Sequence, residues 1–232
     1  MIKVVVFDAY GTLFDVHSIS ALAESLYPGQ GAAISALWRD KQIEYTRLVT
    51  QSDAQGVGGS RYYQSFWDLT QAALRYTLAR QKLVHSKDHE DALMAQYARL
   101  TAFSENLGVL QQLRAMGLPT AILSNGSPDM LASAVASAGF TELLSRVISV
   151  DGIRLFKTAP QCYGLVLQAF EVQADEVLFV SSNAWDALGA SWFGFTTLWV
   201  NRQNLPAETI GPLPSYTGPD LTRVLEVLAL TH

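Results

Sequence analysis

The stretch KVVVFDAYGTLFD, residues 3–15, decides how the rest of the chain is read. Apolar, mostly β-branched residues run up to Phe7 and end on an aspartate, Asp8. A short run with no polar alternation suits a strand buried on both faces, as in a parallel sheet. A carboxylate at its carboxyl end then faces the crevice where open parallel sheets bind ligands. Two residues further on stands Tyr10, which is not acidic, followed by Gly11 and Thr12.

Four more runs read as strands: TAILS (120–124), RVISV (146–150), EVLFVS (176–181) and TTLWV (196–200). Helical patterns separate them: NLGVLQQLRAMG (106–117), SPDMLASAVASAG (127–139), APQCYGLVLQAF (159–170) and AWDALGASWFG (184–194), with PDLTRVLEVLAL (219–230) closing the chain. Alternation of strand and helix predicts an α/β fold, a Rossmann-like doubly wound parallel sheet. Between residues 16 and 100 only helical patterns occur: SISALAESLY (18–27), GAAISALWRDKQIEYTRLV (31–49), RYYQSFWDLTQAALRYTLARQ (61–81) and KDHEDALMAQYARL (87–100). QSDAQGVGGS (51–60) reads as a loop between two of them. The expected division is a core of residues 1–15 and 100–232 with an inserted all-helical cap of residues 16–99.

Composition narrows the function classes. Of 232 residues, 49% are hydrophobic and 16% charged, with a formal net charge of -5. That balance suits a packed core and speaks against nucleic acid or an anionic membrane as partner. A lone cysteine, Cys162, cannot form an internal disulfide and favours a reducing compartment. No apolar run reaches membrane-spanning length, and the first residues do not form a signal-peptide core. A soluble, cytoplasmic protein is expected.

The predicted strand ends carry polar groups again and again. Asp8 ends the first, Ser124 and Asn125 the second, and Ser181, Ser182 and Asn183 the fourth; Lys157 follows the third, and Asp186 comes one turn after the fourth. Singly, each has a plain explanation as a turn or cap residue. Asn125-Gly126-Ser127-Pro128, for instance, makes a good helix start with Ser127 as cap and Pro128 at the first helical position. Together they aim two aspartates, a serine–asparagine pair and a lysine at one crevice.

FDAYGTLFD, LSNGSP, the later lysine and SSNAWD resemble the haloacid dehalogenase superfamily, and within it the L-2-haloacid dehalogenases. The likeness runs over essentially the whole chain and includes LWRDKQIEYTRL (37–48). Most members of that superfamily are phosphatases, in which a metal offsets the charge of the phosphoryl group and an acid two residues after the nucleophile protonates the leaving group. Here Tyr10 stands at the acid's position, and SSN stands where an acidic pair would hold metal. A halide leaves as a stable anion, and a carbon electrophile carries no phosphoryl charge. The departures therefore suit carbon–halogen cleavage without metal or cofactor.

The resemblance implies roles residue by residue. Asp8 attacks C2 of an (S)-2-haloalkanoic acid and forms an ester, which water hydrolyses to the (R)-2-hydroxy acid. Ser124 and the backbone N–H groups around Ala9 and Tyr10 hold the substrate carboxylate; Arg39 and Asn125 receive the halide. From periodicity alone Arg39 is indistinguishable from a solvated helix arginine such as Arg47. Lys157 pairs with Asp8 and Asp186, with Tyr163 near Lys157. Asp186 orients or deprotonates water positioned by Asn183, Ser181 bonds to Asp8, and Thr12 steadies the loop. Tyr10, Ile43, Phe66 and Trp185 wall the alkyl chain, or simply pack in the core. The likeness also implies a homodimer. In the family a proline follows the lysine; here Thr158 does, and Thr158 with Gln161 would form a capping box.

His85 and His89 have helical spacing but no third ligand, so a surface helix end is the better reading. Cys162 reads as a small buried residue rather than a nucleophile. A superfamily phosphatase and a non-catalytic binding protein are the competing functions; the first needs magnesium, and the second would release no halide.

Overall fold

Residues 1–231 are described by the computed structural model. Val4–Phe7 (β1) lies at the centre and is fully buried along its length. Each such side chain contributes roughly 1.5–3 kcal/mol by leaving water. Around it stand Thr120–Ser124 (β2), Arg146–Ser149 (β3), Val177–Ser181 (β4), Thr196–Val200 (β5) and Tyr216–Gly218 (β6). All pairings are parallel, in the order β3-β2-β1-β4-β5-β6. The chain winds outward from β1 in one direction, then returns to its other side. Right-handed crossovers therefore put the two sets of helices on opposite faces, the doubly wound arrangement expected.

Nine α-helices occur among the described residues: Ile19–Leu26 (α1), Gly31–Ser52 (α2), Phe66–Arg80 (α3), Lys87–Tyr97 (α4), Asn106–Ala115 (α5), Pro128–Ser137 (α6), Pro160–Phe170 (α7), Ala184–Phe193 (α8) and Arg223–Thr231 (α9). The first four pack on one another, α2 against both α1 and α3, and α4 against the same two. Glu90 ties α3 to α4: its buried carboxylate accepts from Gln71 Nε2, from Arg75 Nε and Nη2, and pairs with His85 Nε2 at 2.6 Å. The His85–His89 spacing is thereby accounted for, since His89 instead sets its ring edge-on against Tyr27.

The structure departs most from the sequence reading at two helix starts and one strand. The third helical pattern begins at Phe66 rather than 61, because Ser65 Oγ accepts the Asp68 N–H and fixes the start. The last helix starts at Arg223, four residues later than its pattern. Strand β6 was not anticipated; its three residues, Tyr-Thr-Gly, carry no apolar run.

Candidate active site

β1 and β4 run in register, Phe7 opposite Val180, and the Asp8 N–H still donates to the Val180 carbonyl at 2.9 Å. The strand order reverses between these two, so Asp8 emerges at the switch point where doubly wound sheets bind ligands. Beyond it the chain turns sharply: the Ala9 carbonyl accepts from the N–H groups of Thr12, Leu13 and Phe14. Gly11 sits in this turn at φ +93°, a conformation side chains rarely adopt.

The two oxygens of Asp8 have different partners. Oδ1 accepts from Lys157 Nζ at 3.0 Å; Oδ2 accepts from Thr12 Oγ1 at 3.0 Å and Asn183 Nδ2 at 2.8 Å. Thr12 is itself fixed, since its Oγ1 accepts the Ser182 N–H at 2.8 Å. Lys157 also donates to Asp186 Oδ2 at 2.8 Å, and Tyr163 donates its hydroxyl to Asp186 Oδ1 at 2.8 Å. Asp8 is only 5% exposed and Lys157 and Asp186 are sealed, so these charges interact with little screening.

Burial dominates the acid–base behaviour here. It pushes the Asp186 carboxyl up to about 6, against the opposing pull of the Lys157 ammonium, while the Asp8 charge raises it further. For Lys157 burial disfavours the cation, but the Asp186 and Asp8 carboxylates outweigh it and hold the ammonium above its ordinary range. Burial also raises the Tyr163 hydroxyl, with the Asp186 charge acting in the same direction, so the phenol keeps its proton as donor. Cys162, on the same helix, is pushed up to about 12 by burial and stays an inert thiol.

Arg39 reaches this centre from α2. Its Nη2 donates to the Tyr10 carbonyl and to Asn183 Oδ1, both at 3.2 Å, and its Nη1 to Gln42 Oε1 at 2.6 Å. It also lines a cleft of about 1190 Å³, with Gly11, Ile43, Arg47, Asn183 and Trp185 among the walls. Arg47 stays exposed, its guanidinium 5.6 Å from the Trp185 ring centre, so structure separates the two arginines that periodicity could not.

A family model of hydrolases, the haloacid dehalogenase-like hydrolases, matches residues 2–194. The chain belongs to that family. It is 40% identical over 226 residues to an (S)-2-haloacid dehalogenase of Pseudomonas sp. (strain YL), covering 97% of this chain and 94% of the relative. A crystal structure of an L-2-haloacid dehalogenase shares 52% identity and superposes with a TM-score of 0.95, covering 98% and 99% of the two chains. The L-2-haloacid dehalogenase of Xanthobacter autotrophicus with chloropropionic acid covalently bound is 38% identical, with a TM-score of 0.88 and 99% of each chain covered.

Against the pattern this haloacid dehalogenase-like hydrolase was expected to follow, most residues meet and a few do not. Asp8, Thr12, Arg39, Lys157, Tyr163, Asn183 and Asp186 form one hydrogen-bonded cluster. Ser181 does not bond to Asp8. Its Oγ accepts the Asn183 N–H at 3.1 Å and shapes the turn into α8, while the Asp8 oxygens go to other donors. Ser124 Oγ likewise accepts the Gly126 N–H, and Asn125 Oδ1 accepts the Lys157 N–H at 2.9 Å, which steadies the lysine's backbone. The expected wall residues divide into two pairs. Ile43 and Trp185 line the open cleft, whereas the Tyr10 ring packs 5.7 Å from Phe66 and 5.6 Å from Tyr97 in a buried aromatic cluster.

The expected capping box of Thr158 and Gln161 does not form. Pro160 opens α7, which makes Ala159 the cap residue and leaves Thr158 one position too early. Ser127 does precede α6, but its side chain makes no capping bond. What holds the lysine loop instead was missed in the sequence: Thr50, near the end of α2, accepts the Phe156 N–H at 2.9 Å, and Tyr63 stacks on the Phe156 ring. Gln42, Thr70 and Tyr97 around Arg39 were missed too. The available signal was that Gln42 lies four residues after Trp38, on the same helix face as a large apolar side chain.

Among the described residues no group of three or more His, Cys, Asp or Glu side chains is arranged to hold a metal ion. No helix among them is long and apolar enough to cross a membrane.

Proposed function

We propose that this protein hydrolyses (S)-2-haloalkanoic acids to (R)-2-hydroxyalkanoic acids and halide, with inversion at C2. The observation that carries this reading is Asp8 at the sheet's switch point, nearly dry and held by Lys157, Thr12 and Asn183, with Tyr10 where a phosphatase needs an acid. The covalent chloropropionic acid in the Xanthobacter autotrophicus relative supports it.

In the first step an Asp8 oxygen bonds to C2 while the carbon–halogen bond breaks and the halide leaves with its electron pair. Arg39 and the Asn125 amide receive the halide; Ser124 with the Ala9 and Tyr10 N–H groups holds the carboxylate. In the second step water, oriented by Asn183, adds to the Asp8 carboxyl carbon and passes a proton to Asp186. The bond from that carbon to the ester oxygen then breaks, Asp186 returns its proton to that oxygen as the hydroxy acid departs, and the water's second proton is lost to solvent, which restores the Asp8 carboxylate. Lys157 bridges the two aspartates and offsets part of their charge, and Tyr163 fixes Asp186. Thr12 keeps the Asp8 loop in place, Ser181 acts through the turn that presents Asn183, and Ile43, Phe66, Tyr10 and Trp185 bound the alkyl chain. No metal or cofactor enters either step. In this reading residues 16–99 act as a cap over the core of residues 1–15 and 100–232, and the chain works in the cytoplasm as a homodimer on a small haloacid and water.

Halide release from (S)- and (R)-2-chloropropionate, each with excess EDTA, tests the reading. Release from the S form alone and unaffected by EDTA is expected. Silence with both acids, together with magnesium-dependent cleavage of phosphate esters, would overturn it in favour of a phosphatase.

The Asp186 role makes a pH prediction. Its carboxyl protonates at about 6, and once protonated it cannot take the water's proton. In the ester intermediate the Asp8 charge that raises this carboxyl is gone, so kcat should fall as the pH is lowered through a value below about 6. A profile level across that value removes Asp186 as the base.

A further inference from the structure

Gln42 is completely buried, and its amide serves the Arg39 side chain. Oε1 accepts from Arg39 Nη1 at 2.6 Å and from the Tyr97 hydroxyl at 3.0 Å; Nε2 donates to Thr70 Oγ1 at 2.6 Å. The orientation of the amide follows from its neighbours. Thr70 spends its hydroxyl proton on the Phe66 carbonyl at 2.6 Å, so its oxygen can only accept from Gln42. A guanidinium can only donate, so it must meet Oε1. Swapping the two ends of the amide would leave donor against donor and acceptor against acceptor. We propose that Gln42 is the positioning residue for Arg39: it aims the guanidinium at the Tyr10 carbonyl and Asn183, and thereby sets the protein's affinity for halide.

The physical case is one of preorganisation. Arg39 stands on a half-buried helix face, and a free arginine side chain there samples many rotamers. Anchoring one of its terminal nitrogens to a rigid buried acceptor leaves the other directed into the crevice before any ligand arrives. Tyr97 completes the device. It donates to the same oxygen while its ring stacks on Tyr10, so the anchor and the first loop move as one.

The inference rests on the haloacid reading, and the test separates the two. The variant is Gln42→Met, which keeps length and apolar packing but offers Arg39 no comparable acceptor. Kinetics with (S)-2-chloropropionate are combined with inhibition by bromide and by propionate, the second reporting the carboxylate end of the site. A lost hydrogen bond to a charged group predicts bromide inhibition and kcat/KM both weaker by about tenfold or more. Propionate inhibition keeps its wild-type strength. A variant that merely loosens the site weakens both inhibitors equally, and unchanged bromide inhibition likewise overturns the inference. Should Gln42→Met fail to fold, the nearly isosteric Thr70→Val removes the partner of Nε2 and leaves the amide held at its oxygen end only. It then shows the same selective loss of bromide inhibition, smaller in size, or the inference fails. Wild-type protein that releases no halide sinks the haloacid reading itself.

Discussion

Replacing Asp8 by alanine abolishes halide release, with a loss on the order of ten-thousandfold or more, as removal of a covalent nucleophile does in other hydrolases. The other carboxylate of the cluster cannot take over. Asp186 is sealed, with Lys157 on one oxygen and Tyr163 on the other. The fold should survive, because Lys157 keeps Asp186 as a charge partner and Asn183 keeps the Tyr10 carbonyl at 3.0 Å. The measurement pairs halide release with thermal melting, and adds mass analysis of quenched wild-type protein for a substrate adduct on the peptide carrying Asp8. An Asp8→Ala protein within about tenfold of wild type would place the nucleophile elsewhere.

Lys157→Met should damage both activity and stability. The lysine is the cation between two buried carboxylates, 3.0 Å from one and 2.8 Å from the other. Removing one partner from a buried ionic cluster typically costs about 3–5 kcal/mol, a large part of the roughly 5–15 kcal/mol by which a domain is stable. Asp186, already raised by burial and by Asp8, loses the main group that lowers it, keeps only the Tyr163 hydrogen bond, and must rise further. The sign of the stability effect follows. A carboxyl whose folded-state value lies above its unfolded value favours the folded state when protonated. The variant should accordingly be most stable at acid pH and weaken as the pH rises through the Asp186 transition. Its acid limb of activity should move to higher pH than in the wild type. Melting curves across the pH range together with kcat profiles check both points. An unaltered melting temperature and profile would mean that Lys157 is not the pivot of this cluster.

The strand-end residues were legible because a doubly wound sheet writes itself plainly into sequence. Its strands are uninterrupted apolar runs, and a polar residue straight after such a run can hardly be anywhere but at the crevice. Asp8, Asn183 and Asp186 stood out for that reason, and the family likeness then supplied Arg39 and the lysine's partners. Gln42 did not stand out, because a glutamine in a long amphipathic helix looks solvated until its partners Tyr97 and Thr70, 55 and 28 positions away, are folded onto it. Thr50 was hidden in the same way, its acceptor role depending on the Phe156 N–H 106 positions further on. Ser181 was misjudged on different grounds. Adjacency to the site was clear, but two residues compete for one carboxylate, and only coordinates tell that Asn183 wins with its side chain while Ser181 turns to the backbone. The cap of α7 was misplaced because the threonine capping box and the proline at the first helical position give conflicting registers at Thr158 and Pro160.

The unequal grip on Asp8 has a consequence for where oxygen atoms go. Its carboxylate cannot exchange its two oxygens by rotating without breaking three hydrogen bonds, those from Lys157, Thr12 and Asn183. In the proposed reaction the same oxygen then attacks every time and is carried off as the product's hydroxyl, while solvent refills the vacant position. Each product molecule thus receives an oxygen that entered the protein one cycle earlier. The aspartate works less as a fixed part than as a one-place queue, renewed from water at every turnover.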